Sequence, residues 1–327
     1  MNEDRKKYKV VVYSDKLYAS DILWGFAAAG CEAQIIIPNS IEDFDRLMEK
    51  ISPDLLILSS HMGYFSHPML YHIGSRNSPQ YKCVCWDTEG VGQFTLQMTG
   101  IEFLKPDMVF SICLEMLEIL KSKSIPCARL DFAYNPTIHY PKTISVNENY
   151  TNSLVGNGWL WYANHYPAHF RYSRAIHILL KPLIENNIKI DFYGSTEYKQ
   201  VIKKFLDLDV PIEWFKGTVS YEKTCDIYNS SFMNLITQNH ELTVTRRTFE
   251  IMGSGGFGLS CNNTAVKNMF GSSNGLAIAS TANETLEILD YYKRNPDDYI
   301  KVREKAVLSV QNHTYKERAE EIIHKIF

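Results

Sequence analysis

Short apolar runs alternate with helical segments along the chain, and this alternation constrains the fold more than any other feature. In the first half the runs are KVVVYS, AQIIIP, DLLILSS, YKCVCW, MVFSIC and CARLDF. Residues 10–12 and 55–58 are continuously apolar, which is typical of parallel strands covered by helices on both faces. Helices are predicted at residues 19–29, 41–50 and 114–121. The pattern predicts an α/β domain with a parallel sheet.

The same alternation starts again after a stretch rich in Pro, Asn and Ser, PTIHYPKTISVNENYTNS. The second set of runs is SLVGNG, KIDFYGS, EWFKG, FMNLIT, GFGLSC and GLAIAS, with a long helix at 169–185 and a helical tail broken at Asn295 and Pro296. A chain of 327 residues also exceeds one ordinary core. We predict two Rossmann-like, doubly wound domains facing a central cleft. The first spans 1–145 and the second 146–312, and a helix at 313–327 packs back on the first.

Composition excludes several classes of protein. A net charge of −3 gives no basic field for nucleic acid, and 45% apolar residues argue against a disordered chain. The seven cysteines are odd in number and lie mostly in apolar runs, which indicates reduced core thiols. The amino terminus lacks the apolar segment of a signal peptide, and no apolar run is long enough to span a membrane. We expect a cytoplasmic protein, with peripheral membrane attachment left open.

The segment LTVTRRTFEIMGSGGFGLSC, residues 242–261, carries the most chemistry. A helix over its first half places Arg246 and Glu250 four residues apart, so they share one face. The positive end of that helix, reinforced by Arg246 or Arg247, attracts an anion such as a diphosphate. Glu250, one turn later, can accept two ribose hydroxyl protons. The alternative is a surface ion pair on a helix that ends at a glycine.

Part of this segment, RRTFEIMGSGGFGLS, is similar to the Arg-x-Phe-Glu-x-Met-x-x-Gly-Gly-Phe segment of the CgeB-type (spore-maturation protein-like) glycosyltransferases of the GT-B superfamily. The tail TANETLEILDYYKRNPDDYIKVREKAVLSVQNHTYKERAEEII resembles the closing helices of that family. FKGTVSYEKTCDIYNSSFMNLI also resembles its strand, glycine turn, short helix and buried strand. The resemblance is strongest in the second half. It implies a GT-B fold and transfer of a sugar from a nucleoside-diphosphate sugar.

The resemblance implies that the second domain binds the donor, with Glu250 on the ribose and Arg246 or Arg247 on the diphosphate, where negative charge develops on the leaving group. Further donor-binding candidates are Gly156, Asn157 and Gly158 in a tight turn, Lys216 and Gly217 near the base pocket, Tyr228 and Glu241. The GNG turn can be a plain turn, and Tyr228 can be a packing residue. Many retaining GT-B enzymes carry Glu-x7-Glu, but Leu242 occupies the first position. The stereochemical outcome therefore stays open.

A general base for the acceptor hydroxyl is expected in the first domain. Candidates are His61, after the third strand, and Asp87 and Glu89 in CVCWDTEGVG, at the end of the fourth. Asp207-Leu208-Asp209 has the spacing of a metal clamp, but its place after a helix and before a proline predicts a solvated helix end.

We expect catalysis without a metal or other cofactor. A UDP-sugar is favoured as donor, and a glycan, protein or small molecule as acceptor. The alternatives are a sugar-nucleotide epimerase or hydrolase on the same fold, or a non-catalytic sugar-nucleotide-binding protein.

Overall fold

The computed structural model describes residues 7–59, 62–75, 80–143, 151–271 and 275–327. The chain forms two compact units, Met1–Asn135 with His313–Phe327, and Pro136–Asn312. The predicted domain boundary, between residues 145 and 146, lies outside the described residues.

The amino-terminal unit is built on a parallel sheet. Its strands in the described residues are β1 (Lys9–Ser14), β2 (Glu32–Ile35), β3 (Leu55–Ser59), β4 (Lys82–Asp87), β5 (Met108–Ser111) and β6 (Cys127–Arg129). They pair in the order β2-β1-β3-β4-β5-β6. The helices between them are α1 (Ala19–Ala28), α2 (Ile41–Ile51), α3 (His67–Gly74), α4 (Phe94–Leu104) and α5 (Leu114–Ser122). β1, β3 and β4 are buried almost throughout, as continuously apolar runs predict.

The carboxyl-terminal unit contains a second parallel sheet. Its strands in the described residues are β7 (Asn152–Val155), β8 (Ile190–Tyr193), β9 (Phe215–Gly217), β10 (Met233–Ile236), β11 (Gly258–Cys261) and β12 (Ala277–Ala279). Their order, β12-β11-β10-β7-β8-β9, is the doubly wound order in which the direction of winding reverses between β7 and β10. The twelve apolar runs of the sequence thus all contain strands, and the predicted pair of doubly wound α/β units is confirmed.

The helices of this unit follow the same alternation. They are α6 (Leu160–His165), α7 (Ile176–Leu179), α8 (Lys181–Glu185), α9 (Glu197–Leu206), α10 (Thr224–Ser230), α11 (Arg246–Gly253), α12 (Thr264–Phe270), α13 (Ala282–Arg294) and α14 (Pro296–Val310). The long helix predicted at 169–185 is instead a π-helical turn, Arg171–Ala175, followed by α7 and α8. Pro296 separates α13 from α14, because it lacks the N–H that a continuous helix needs.

The last helix, α15 (Tyr315–Ile326), belongs to the amino-terminal unit. Thr314 and Glu317 form a capping box at its start. The Arg318 guanidinium donates to the backbone oxygens of Asp131 and Phe132 at 2.8 and 3.1 Å. These contacts attach α15 to the segment that follows β6.

The cysteines and the lengths of the helices agree with the predictions made from composition. All seven cysteines are free, and six are buried. Each helix in the described part of the chain is too short or too polar to cross a lipid bilayer.

Candidate active site

The carboxyl ends of β7 and β10 meet where the winding of the second sheet reverses, the usual ligand position in such sheets. Gly156 follows β7, and α11 begins beyond β10. The Arg247 guanidinium lies against Gly156: a Cβ there would be 3.4 Å from both of its terminal nitrogens. Its Nε is buried without a hydrogen-bond partner among the described residues. The reversal point therefore holds a cation packed directly on a glycine backbone.

The start of α11 is fixed by the buried side chain of Gln238. Its Oε1 accepts the Thr245 N–H at 2.9 Å, and its Nε2 donates to Thr248 Oγ1 and Ser260 Oγ at 3.0 Å each. Thr245 is the N-cap residue by backbone position, although its side chain makes no capping bond. Gln238 therefore links the start of α11 to β11. It fixes the position of the first turn of α11, which carries Arg247.

Arg246 and Glu250 form an ion pair, with 2.7 Å between Nε and Oε1. The pair is buried, because the two side chains are only 13% and 5% exposed. The Tyr221 hydroxyl donates to Glu250 Oε1 at 3.1 Å, and the Arg246 guanidinium lies 4.8 Å from the centre of the Tyr221 ring. The shared helix face is as predicted, but the alternative of a surface pair is wrong, because aromatic rings cover it.

The electrostatics around Glu250 favour its charged form. Burial raises its pKa, but the Arg246 and Arg247 guanidinium groups and the hydrogen bond from Tyr221 more than offset this and hold the pKa below its usual range. Tyr228 lies on the other side, with its hydroxyl 3.5 Å from Oε2, and burial raises the pKa of that hydroxyl. Tyr228 is therefore a neutral donor beside an ionised carboxylate.

His139 completes this group of side chains and was not predicted from the sequence. It lies 5.0 and 5.9 Å from the ring centres of Tyr221 and Tyr228. Its Nε2 is 3.0 Å from Thr224 Oγ1, which itself donates to the Tyr221 backbone oxygen. Burial lowers the pKa of His139, so the ring is neutral near pH 7. No local pattern marks this residue, because its partners lie more than 80 positions away.

The turn Gly156-Asn157-Gly158 is interlocked with the turn after β8. Gly194 has φ of +144°, and a Cβ there would overlap the Gly156 carbonyl oxygen. Asn157 Oδ1 accepts the Ser195 N–H at 3.0 Å. A Cβ at Gly158 would lie 2.5 Å from the Tyr198 nitrogen. Close backbone contact therefore requires glycine at positions 158 and 194, and the Arg247 guanidinium packs on the turn at Gly156.

Arg171, in the π-helical turn, connects this turn to the end of β10. Its Nη2 and Nε donate to Asn239 Oδ1 at 2.6 and 3.1 Å, and its Nη1 lies 3.3 Å from the Asn157 carbonyl oxygen. π-helical turns are frequent at functional sites. The sequence analysis missed Arg171, because it looks like one more polar residue of an amphipathic helix.

Glu241 is held at the start of α12. Its Oε1 accepts the Thr264 N–H at 2.9 Å and the Thr264 hydroxyl at 2.6 Å, and its Oε2 pairs with Arg174 at 3.2 Å. Lys216, in the middle of β9, donates to the Glu213 carbonyl oxygen and pairs with Asp191. Gly217 has open space around it. The structure thus brings Arg247, the GNG turn and Arg171 together, while Glu241 and Lys216 make contacts of their own.

The acids predicted in the amino-terminal unit lie at the carboxyl end of β4. Asp87 is fully buried: its Oδ2 accepts the Ser111 hydroxyl at 2.7 Å, and its Oδ1 accepts the N–H groups of Glu89 and Gly90. Burial raises its pKa, although these hydrogen bonds oppose the shift. Asp87 thus fixes the turn that carries the partly exposed Glu89. His61 lies outside the described residues.

The metal-clamp spacing at 207–209 is a solvated helix end, as predicted. Asp207 and Asp209 are exposed, and Lys203 pairs with both. Among the described residues, no group of three or more His, Cys, Asp or Glu side chains is arranged to hold a metal ion.

Comparisons with known proteins agree with this architecture. Residues 171–324 match the family described as glycosyl transferase-like. No curated protein sequence matches the chain. An alpha-glucosyltransferase solved with UDP-glucose and DNA containing an abasic site has a TM-score of 0.73 at 11% identity, covering 98% of this chain and 99% of that one.

Two further structures share the fold. A sucrose-phosphate synthase from Thermosynechococcus elongatus has a TM-score of 0.68 at 11% identity and covers 98% of each chain. The HepE protein of Anabaena, solved with UDP and glucose, has a TM-score of 0.63 at 10% identity, covering 98% of this chain and 99% of that one. Residues 171–324 thus match a glycosyl transferase-like family, and the chain as a whole shares its fold with these glycosyltransferase structures.

Proposed function

We propose that the carboxyl-terminal unit binds the diphosphate of a UDP-sugar at the reversal point between β7 and β10, without a metal ion. The observation that carries this proposal is Arg247, whose guanidinium packs on Gly156 and whose buried Nε has no hydrogen-bond partner in the part of the chain that the structure describes. A guanidinium binds two phosphate oxygens in its plane, so it can replace a divalent cation as the group that neutralises the leaving diphosphate. UDP is proposed because two of the neighbouring structures were solved with UDP or UDP-glucose.

We base our proposal for ribose binding on the buried Arg246–Glu250 pair. Glu250 is held in its ionised form by Arg246 and by the Tyr221 hydroxyl, so the carboxylate is ready to accept hydroxyl protons. Ribose binding at Glu250 then requires Tyr221 or Arg246 to share the carboxylate with the ribose hydroxyls. The GNG turn and Arg171 complete the site on the phosphate side.

For the acceptor we propose a glycan, a protein or a small molecule, and Glu89 as the general base. Asp87 supports this choice, because it holds the backbone of Glu89 in place while itself being fully buried. His61 stays a second candidate. The net charge of −3 supplies no basic field for nucleic acid, although one neighbouring structure holds DNA.

We also propose that the chain is a CgeB-type enzyme and that it acts in the cytoplasm. The cytoplasmic location is proposed because its cysteines are free thiols.

The proposal is tested by thermal denaturation with UDP-, GDP-, dTDP-, ADP- and CMP-sugars, each with magnesium and with EDTA. We expect a UDP-sugar to raise the melting temperature equally in both, since ligand binding stabilises by mass action. Arg247→Met should abolish the shift, whereas Arg294→Met, which removes an exposed ion pair, should not. A shift that needs magnesium would contradict the metal-free site, and a normal shift in Arg247→Met would remove Arg247 from it.

A further inference from the structure

Large aromatic side chains are exposed on the segment that directly follows the GNG turn. Trp159, Trp161 and Tyr166 are 53%, 64% and 45% exposed, and Tyr162 lies between them. We call Trp159, Trp161, Tyr162, His165 and Tyr166 the aromatic platform. Clusters of exposed apolar surface of this kind usually mark a binding site.

The rings of the platform support one another. Trp161 stacks on His165 with 4.1 Å between ring centres and 28° between planes. His165 is held in turn, because its Nδ1 is 2.7 Å from the Trp161 carbonyl oxygen. Tyr162 and Tyr166 lie 4.6 Å apart, and Trp159 meets Tyr162 edge-on. The stacking fixes the rings and so lowers the entropy cost of binding a partner to them.

The backbone of the platform is anchored to the GNG turn. Trp159 has φ of +46°, which is rare for a bulky side chain and is kept only where the surroundings enforce it. The Tyr172 hydroxyl donates to the Gly158 carbonyl oxygen at 3.0 Å, and Glu197 accepts the Leu160 N–H at 3.2 Å. The platform therefore has a fixed position next to the turn that Arg247 contacts.

The chemistry of the segment favours a neutral, hydroxyl-rich partner. Residues 156–170 contain no Asp, Glu, Lys or Arg, but they supply Asn, His and Tyr groups beside the rings. A membrane-surface segment would combine such apolar side chains with lysines and arginines, and this segment contains neither. Sugar rings present flat C–H faces that pack on aromatic faces, while their hydroxyls bond to polar groups at the ring edges.

We propose that the aromatic platform binds a neutral carbohydrate chain, so that the acceptor is a glycan held by stacking next to the donor site. This deepens the proposed function and rests on it, because a glycan chain beside the site is useful only if a sugar is transferred there. The platform is a binding element and takes no part in the bond-making step.

The test uses the full chain and measures protection of tryptophan fluorescence from acrylamide by maltohexaose, cellohexaose, chitohexaose and dextran. Trp86 and Trp214 are buried, so the quenchable signal comes from Trp159 and Trp161 of the platform and from the partly exposed Trp24 of the amino-terminal unit. The Trp24 contribution is a constant background, since Trp161→Ala leaves it in place. We expect at least one of these carbohydrates to protect the wild type. Trp161→Ala should bind it about tenfold more weakly, as the loss of one aromatic contact predicts. Tyr71→Ala removes a similarly exposed aromatic side chain in the amino-terminal unit and should leave binding unchanged.

Two further measurements separate this proposal from the donor site and from other partners. The melting-temperature shift with UDP-sugar should be the same in Trp161→Ala and wild type, so failure of the donor proposal would appear separately, as no shift in either. Absence of protection by all four carbohydrates, or equal affinity in Trp161→Ala, overturns the glycan platform. Binding to vesicles of phosphatidylglycerol and phosphatidylcholine, lost in Trp161→Ala, would overturn it in favour of a lipid surface.

Discussion

Glu250 keeps a negative charge in a buried position because cationic and hydroxyl groups converge on it. Arg246 pairs with it, Tyr221 donates to it, and Tyr228 lies beside it. Removing one partner of such a pair leaves the other charge buried and uncompensated, which costs more than the pair itself contributes. If Glu250 binds the ribose as proposed, stability and donor binding are therefore linked at this residue.

We predict that Glu250→Gln lowers the free energy of unfolding by about 3 kcal/mol, because Arg246 is left buried without its counter-charge. The double variant Arg246→Met with Glu250→Met should recover most of that loss. Chemical denaturation of the three proteins measures it. A Glu250→Gln protein as stable as wild type would mean that water reaches Arg246.

His139 acts on Glu250 through Tyr221. His139 forms a hydrogen bond with Thr224, and Thr224 in turn donates to the Tyr221 carbonyl oxygen. The His139 ring also packs on the ring of Tyr221. We predict that His139→Ala raises the Kd for UDP-sugar by about tenfold, the effect of losing one supporting contact, while His139→Gln, which keeps a donor, restores part of it. Calorimetric titration measures the Kd, and equal affinity in all three proteins would contradict this positioning role.

The turns after β7 and β8 depend on each other, and glycine is what allows them to touch. A Cβ at Gly194 would overlap the Gly156 carbonyl oxygen, whereas Gly217 and Gly30 have positive φ but open space around them. The free-energy cost of a positive φ can therefore be separated from the cost of the steric overlap. Positive φ alone costs about 1 kcal/mol for alanine, and the overlap adds the cost of moving backbone.

We predict that Gly194→Ala lowers the free energy of unfolding by at least about 3 kcal/mol, because strain and overpacking add. Gly30→Ala, the matched control in the amino-terminal unit, should lose about 1 kcal/mol. The displaced Gly156 should also weaken UDP-sugar binding in Gly194→Ala. Denaturation and thermal-shift measurements check both effects, and similar losses in the two variants would contradict the close contact.

Sequence periodicity predicted the strands well because parallel strands buried on both faces are continuously apolar, as in residues 55–58. It also placed Arg246 beside Glu250, since this follows from helical spacing. It missed Arg171 and His139. Their partners, Asn239 and Thr224, lie 68 and 85 positions away, and no local pattern encodes such contacts.

The amino-terminal unit is completed by the last residues of the chain. Tyr134 and Thr314 form a parallel bridge, and Gly25 in α1 lies so close to the Tyr315 carbonyl oxygen that a side chain there would collide with it. Tyr315 also meets Trp86 edge-on at 6.0 Å between ring centres. Removing α15 would uncover both α1 and β4.

We predict that deleting residues 314–327 destabilises the amino-terminal unit. Hydrogen exchange should increase in α1 and β4 but not in β10, which lies in the other unit. Thr314→Ala, which removes only the cap of α15, should cost about 1 kcal/mol. Unchanged exchange in α1 after the deletion would contradict the prediction.

Histidines whose pKa is lowered by burial make stability depend on pH. This is the case for His139, His169, His177 and His313, and His169 is lowered to about 4 by burial and by nearby Arg171. In the unfolded chain these rings titrate near the ordinary value of about 6.5. Between that pH and the folded pKa the unfolded chain binds more protons. The free energy of unfolding is therefore highest above pH 6.5 and falls as the pH falls toward 4.

We predict that the lowered pKa of His169 alone reduces the free energy of unfolding by about 2 kcal/mol between pH 7 and pH 5. Each pH unit below the pKa of the unfolded state costs about 1.4 kcal/mol. His169→Asn keeps an acceptor for the Arg171 N–H, which His169 Nδ1 accepts at 3.3 Å, but cannot be protonated. Its melting temperature should therefore fall less between pH 7 and pH 5 than that of wild type, by about 4 to 8 °C. His324→Gln, at an exposed position on α15, is the control and should follow wild type. Equal losses in His169→Asn and wild type would show that His169 is protonated in the folded protein at pH 5, and that water or an acid group reaches its ring.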